Sequence, residues 1–91
     1  MITAMLPNNL EISQKLREQA TTLERNGGTL YRVRAYRQAA MVVLELPEEV
    51  SKIVSKSGQQ ALEQFPGIGK SLAKTIVGYV LSEREKYPQG T

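Results

Sequence analysis

Apolar and polar positions along this chain recur with a helical rather than a strand-like period. Ile12, Leu16, Ala20 and Leu23 are spaced as one face of a helix, with Lys15, Arg17, Glu18 and Glu24 falling between them. Asn8 followed by Glu11 has the capping-box pattern and is expected to open this first helix, and Asn26-Gly27-Gly28 is expected to close it. Thr29 is the expected cap of a second helix with Val33, Tyr36, Ala40, Val43 and Leu44 on one side. That helix should stop at Leu46, because the residue before a proline resists helical geometry. Pro47 suits the first position of a short third helix, with Val50, Ile53 and Val54 facing inward and Gly58 ending it. Gln59–Gln64 reads as a two-turn fourth helix with Leu62 inside, and Phe65–Gly69 as a tight turn. A fifth helix follows, with Leu72, Ala73, Ile76, Val77 and Val80 as its apolar side. The apolar pattern fades from Ser82. No stretch sustains two-residue alternation, and the β-branched pairs Val42-Val43 and Ile76-Val77 lie inside longer helical patterns. The expected fold is all-α, a small bundle of four to five helices, with residues 1–7 as a flexible N-terminus, 8–83 as the helical domain and 84–91 as a frayed tail.

Composition narrows the chemistry. The chain has 91 residues, 41% of them hydrophobic and 23% charged, which suits one domain with a small core. It has no Cys and no His, so disulfides, thiol chemistry, Cys/His zinc sites and imidazole catalysis are excluded. All nine acids are Glu, an unpromising set for a dedicated calcium or magnesium site. Twelve basic residues give a formal charge of +3, which permits a nucleic-acid surface without requiring one. No apolar run reaches the length needed to span a membrane, and Met1–Leu10 lacks the basic start and apolar core of a secretory signal. No membrane association and a cytoplasmic location are therefore expected. The start at Met1 and the short polar end point to a stand-alone small protein.

The most informative stretch is Leu62-x-x-Phe65-Pro66-Gly67-Ile68-Gly69-x-x-x-Ala73-x-x-Ile76. Gly67 and Gly69 let the backbone turn sharply between two helices, Ile68 can enter the core as a peg, and small Ala73 lets the helices approach. A row of unpaired N–H groups would remain at the start of the fifth helix, where donors and dipole together attract a phosphate oxygen. Lys70 follows at once, with Ser71 beside it, and Lys74 lies one turn further on the same face. The string Gly-Ile-Gly-Lys-Ser is not a nucleotide-binding P-loop. Such a loop needs a glycine where this chain has Gln64, and a buried strand where Ala61–Gln64 is helical in pattern. The plain structural alternative is a helix–helix connector with no ligand.

A second basic feature precedes it. Arg25, Arg32, Arg34 and Arg37 form a run with no acid between residues 26 and 44. Arg34 and Arg37 are expected to share a flank of the second helix with Tyr36 beside them, a set suited to phosphate oxygens and a stacking face. The plain alternative is a solvated helix side with Tyr36 half in the core. Lys15, Lys52, Lys56 and Lys86 follow no local pattern and read as solvating charges. Glu45, Glu48 and Glu49 should sit away from any nucleic acid, and the latter two suit the start of the third helix.

The string Tyr31-Arg32-Val33-Arg34-Ala35-Tyr36-Arg37-Gln38-Ala39-Ala40, followed by Phe65-Pro66-Gly67-Ile68-Gly69-Lys70-Ser71-Leu72-Ala73, resembles the N-terminal, lyase-type domain of family X DNA polymerases, the DNA polymerase beta type. The similarity runs from about Asn8 to Leu81. The resemblance implies a small helical domain whose helix-hairpin-helix holds the phosphate backbone of gapped or nicked DNA, with a role in DNA repair. It also implies a monovalent cation, potassium or sodium, on hairpin carbonyls that here belong to Glu63, Phe65 and Ile68. Some members of that family are 5′-deoxyribose phosphate lyases, which need a lysine amine to form a Schiff base. The position matching that nucleophile is Thr75. The one matching a second, phosphate-holding lysine is Ser71, a third basic position matches Arg32, and the active-site tyrosine matches Tyr36. Lys74 is adjacent to Thr75 but about 100° around the helix. These 91 residues are too few to include that family's polymerase palm.

The expectation from these residues is a non-catalytic module that binds DNA through its phosphate backbone, without sequence specificity, and prefers nicks or gaps. Gly67, Gly69, Lys70, Ser71, Lys74, Arg32, Arg34, Tyr36 and Arg37 are the expected contacts, with no cofactor beyond the monovalent cation. Two readings compete with it. One is a protein-interaction or structural module that kept the fold and lost DNA binding, with a protein partner on an apolar patch elsewhere. The other is a lyase, or a detached domain of a repair polymerase.

Overall fold

The computed structural model describes residues 7–86. They form five helices: α1 (Pro7–Arg25), α2 (Leu30–Leu44), α3 (Val50–Ser57), α4 (Gln59–Leu62) and α5 (Lys70–Lys86). Among the described residues there is no strand, so the all-α, helix-hairpin-helix bundle is what the chain adopts. The most extensive contact is between α1 and α2, which a four-residue connection folds back on one another. Small residues at that seam let the two backbones approach: Ala20, Ala39 and Ala40 are fully buried, and the Ser13 hydroxyl donates to the Ala40 carbonyl at 2.9 Å.

One core joins all five helices. Ile12 and Leu16 of α1 meet Val33 and Val43 of α2, Val50 and Ile53 of α3, Leu62 of α4, and Ala73, Ile76 and Val80 of α5. Ile68 enters from the hairpin and is only 2% exposed. The α2 stripe lies slightly around from the expected one. Ala39 is buried and Leu44 half-exposed, because the stripe turns toward Leu46, which reaches the core from beyond the helix.

Several boundaries differ from the sequence expectation, each for an identifiable reason. Helix α1 already begins at Pro7, so Asn8 lies inside its first turn and does not cap it. Instead, Asn8 and Asn9 reach across to α3. The Asn8 Oδ1 accepts from the Ser51 N–H at 3.2 Å, and the buried Asn9 Oδ1 accepts from the Val50 N–H at 2.7 Å. The Asn9 Nδ2 donates to the Glu48 carbonyl at 3.1 Å. These bonds place the start of α3 at Val50 rather than Pro47, with Glu49 at the N-cap and making no capping bond of its own. Thr29 caps α2 as expected, accepting from the Arg32 N–H at 3.2 Å. Helix α4 is a single turn. Past Leu62 the N–H groups of Glu63, Gln64 and Phe65 bond three residues back, a tightening imposed on the approach to Pro66. Helix α5 continues to Lys86 through residues of good helix propensity, past the point where the apolar pattern fades. The rest of the expected N-terminal segment and tail, residues 1–6 and 87–91, lies outside the described residues.

Candidate nucleic-acid interface

The hairpin between α4 and α5 is one β-turn followed directly by a helix start. The Ile68 N–H donates to the Phe65 carbonyl at 3.1 Å, with Pro66 and Gly67 at the turn's two central positions. Gly67 has φ +95°, the value a type II turn demands of its third residue. The space beside it is tight: a Cβ there would sit 3.1 Å from Gln38 Cγ and 3.2 Å from Val42 Cγ2, so those side chains would have to give way by a few tenths of an ångström. The hairpin tip therefore leans on α2, and the Ile68 side chain is driven into the core beside Ala73.

Gly69 does a different job from Gly67, contrary to the shared turning role expected of the pair. A Cβ at Gly69 would meet nothing within 4 Å, and its φ is not in the left-handed region. Its carbonyl accepts from the Ala73 N–H at 2.9 Å, which makes it the N-cap of α5. Being glycine, it offers no side-chain oxygen to the N–H groups of Ser71 and Leu72. The positive end of the α5 dipole is thus left open next to Lys70 and Ser71.

This opening faces a cleft of about 830 Å³. Tyr31, Arg32, Ala35, Tyr36 and Gln38 of α2 form one wall, and residues 63–72 of the hairpin form the other. Tyr31 stands at the cleft 81% exposed, whereas Tyr36 is 9% exposed. Tyr36 also lies near Tyr79 of α5. Burial first, then the neighbouring Tyr36 phenol and the Glu18 carboxylate, raise the Tyr79 pKa above the ordinary tyrosine value.

The expected site residues divide into groups. Arg32, Tyr36, Gly67, Gly69, Lys70 and Ser71 are brought together around the cleft. Lys74 is exposed one turn along α5, outside the cleft lining. Arg34 and Arg37 are exposed and do not line the cleft. The Arg37 guanidinium donates to Glu24 Oε1 of α1 at 3.0 Å. Both partners are half-exposed, so the pair contributes little stability. Thr75 is half-buried on α5, and its hydroxyl donates to the Ser71 carbonyl at 3.2 Å.

Residues not singled out from the sequence complete the cleft. Tyr31, Ala35 and Gln38 lie one helical turn apart and would have been found by following that stripe; Phe65, Pro66 and Leu72, read from the sequence as turn and core residues, form the facing wall. Glu63 also lines the cleft, where its carboxylate offsets one of the two cations, Arg32 and Lys70. Of the three carbonyls expected to hold a monovalent cation, that of Phe65 accepts the Ile68 N–H, which leaves it a second lone pair. Those of Glu63 and Ile68 accept no backbone bond among the described residues. The donor set is compatible with such an ion. Among the described residues no cluster of three or more acidic side chains could hold a metal, and no helix is long and apolar enough to cross a membrane.

The family described as the helix-hairpin-helix domain matches residues 7–85, nearly the whole chain. No curated protein and no solved structure matches.

Proposed function

Because this chain belongs to the helix-hairpin-helix domain family, we propose that it binds DNA through the sugar–phosphate backbone without reading its sequence. Domains of this family generally bind DNA non-specifically. The observation that carries the reading is the uncapped start of α5. The Ser71 and Leu72 N–H groups, the Lys70 ammonium and the Ser71 hydroxyl are gathered at one side of a cleft, with the Arg32 guanidinium opposite. No acid lies between residues 64 and 82, so this side of the hairpin carries nothing to repel a polyanion except Glu63 at the cleft's edge. Contacts of this kind fix position along a strand and carry no base code.

The finer reading follows the resemblance to the N-terminal domain of DNA polymerase beta. Nicked and gapped DNA are the preferred partners, and a monovalent cation on the carbonyls of Glu63, Phe65 and Ile68 would add a positive charge where a phosphate approaches. The domain does no covalent chemistry in this reading. Schiff-base formation requires a primary amine, Thr75 has none, and Lys74 is turned to another side of α5.

The test is a pair of substitutions, Lys70→Ala with Lys74→Ala. If both lysines contact phosphates, the double variant binds more weakly to every DNA sequence, and its plot of log affinity against log salt is shallower by up to about two units. An unchanged slope would remove the lysines from the interface.

A further inference from the structure

Away from both the core and the cleft, α2 carries a second pattern. Leu30, Arg34, Arg37 and Met41 follow one another at intervals of four, three and four residues, so they form one stripe along the helix. All four are exposed, and none of them lines the cleft. Leu30 is 59% exposed and Met41 55%, two large apolar side chains at the ends of the stripe, about 16 Å apart along the helix. The opposite face of α2 holds the stripe in place, because Val33, Tyr36, Ala39, Ala40 and Val43 are all buried.

Between the apolar ends lie two arginines, on a helix that contains no acid and no lysine. Glu24 of α1 accepts from Arg37 at 3.0 Å, and Glu45 follows at the C-cap of α2. Arg34 has no acidic partner among the described residues. Exposed Met and Arg without Lys is the composition of a protein interface. A second copy of this chain does not fit there. Antiparallel packing that sets Leu30 on Met41 also sets Arg34 on Arg37, and parallel packing sets each arginine on itself. Both arrangements bring like charges together. A DNA strand would satisfy the arginines but leave Leu30 and Met41 against sugars and phosphates.

We propose that this stripe docks an acidic amphipathic helix of a partner protein. Carboxylates of the partner meet Arg34 and Arg37, and an apolar side chain at each end covers Leu30 or Met41. The complementary pattern is an apolar residue, an acid four positions on, a second acid three further, and an apolar residue four beyond that. Because the stripe lies outside the cleft, this surface does not depend on the DNA-binding reading.

The experiment uses the immobilised full chain to select from a phage-displayed library of random peptides of about 16 residues, long enough to span the stripe. Enriched peptides are then synthesised, labelled and titrated by fluorescence anisotropy. The expected pool carries acids between apolar residues at these spacings. Leu30→Ala with Met41→Ala is expected to weaken peptide binding about tenfold, and Arg34→Glu at least about tenfold. The Arg34→Glu variant should in turn prefer peptides in which Lys replaces the acids, a reversal that misfolding cannot produce. The Leu30→Ala, Met41→Ala variant should keep its affinity for a gapped DNA duplex within about twofold. No enrichment, enriched peptides without acids, or peptide binding unmoved by these substitutions would overturn the proposal. If no acidic peptide were enriched and Arg34→Glu lowered affinity for an intact duplex, the stripe would be a second DNA surface instead.

Discussion

Asn9 and Val50, 41 residues apart, are joined by a 2.7 Å hydrogen bond in which the Asn9 side chain caps a helix other than its own. With its second bond to the Glu48 carbonyl, Asn9 satisfies both a donor and an acceptor at the start of α3. Asn9 is 1% exposed, and its bond from the Val50 N–H is buried. Replacing it with Leu fills similar space but leaves the Val50 N–H and the Glu48 carbonyl unsatisfied. We expect a loss of about 2–3 kcal/mol in a denaturant titration. Asn9→Asp keeps the acceptor and should lose less. Equal stability of the Leu variant and the wild type would show that this contact does not hold α3 in place.

The two hairpin glycines should respond oppositely to substitution. Gly67→Ala meets both a left-handed φ and the side chains of Gln38 and Val42, and is expected to cost about 1–2 kcal/mol. Gly69→Asp has open space for its side chain and supplies the missing cap of α5. Stability should hold or rise by up to about 1 kcal/mol. DNA affinity should nevertheless fall at least about tenfold, because the new carboxylate takes the N–H groups and the field meant for a phosphate. Thermal melts together with binding curves separate the two effects. A Gly69→Asp variant that bound DNA normally would place the interface elsewhere.

Gly78 lies mid-helix in α5, is exposed, and would place a Cβ within 4 Å of nothing. Glycine at such a position is less stable than alanine by about 0.5–1 kcal/mol. Gly78→Ala should therefore raise the melting temperature by several degrees and leave DNA affinity unchanged, since Gly78 is outside the cleft lining. A lowered melting temperature would contradict the open face at Gly78.

Most of the fold was readable because the helices are amphipathic and their period is strong. Ile12, Leu16, Val33, Ile76 and Val80 are core residues on pattern alone, and the Phe65–Gly69 string announces its own turn. What resisted reading was set by tertiary contact. The start of α3 depends on Asn8 and Asn9, of which Asn8 reads in sequence as an ordinary local cap for α1 and Asn9 carries no signal. The site was legible as a list but not as an arrangement. Arg32, Arg34 and Arg37 form one run in the chain, yet only Arg32 lines the cleft, and Arg37 is drawn to Glu24. Glu63 enters the sequence reading only through its backbone carbonyl, yet the residue also lines the cleft.

The central claim, backbone binding without sequence specificity, is tested most directly by anisotropy of the wild-type protein against two gapped duplexes of unrelated sequence over a range of salt concentrations. The account predicts equal affinity for the two sequences and a steep, linear fall of log affinity with log salt. Binding insensitive to salt, binding confined to one sequence, or no binding at low salt would contradict it.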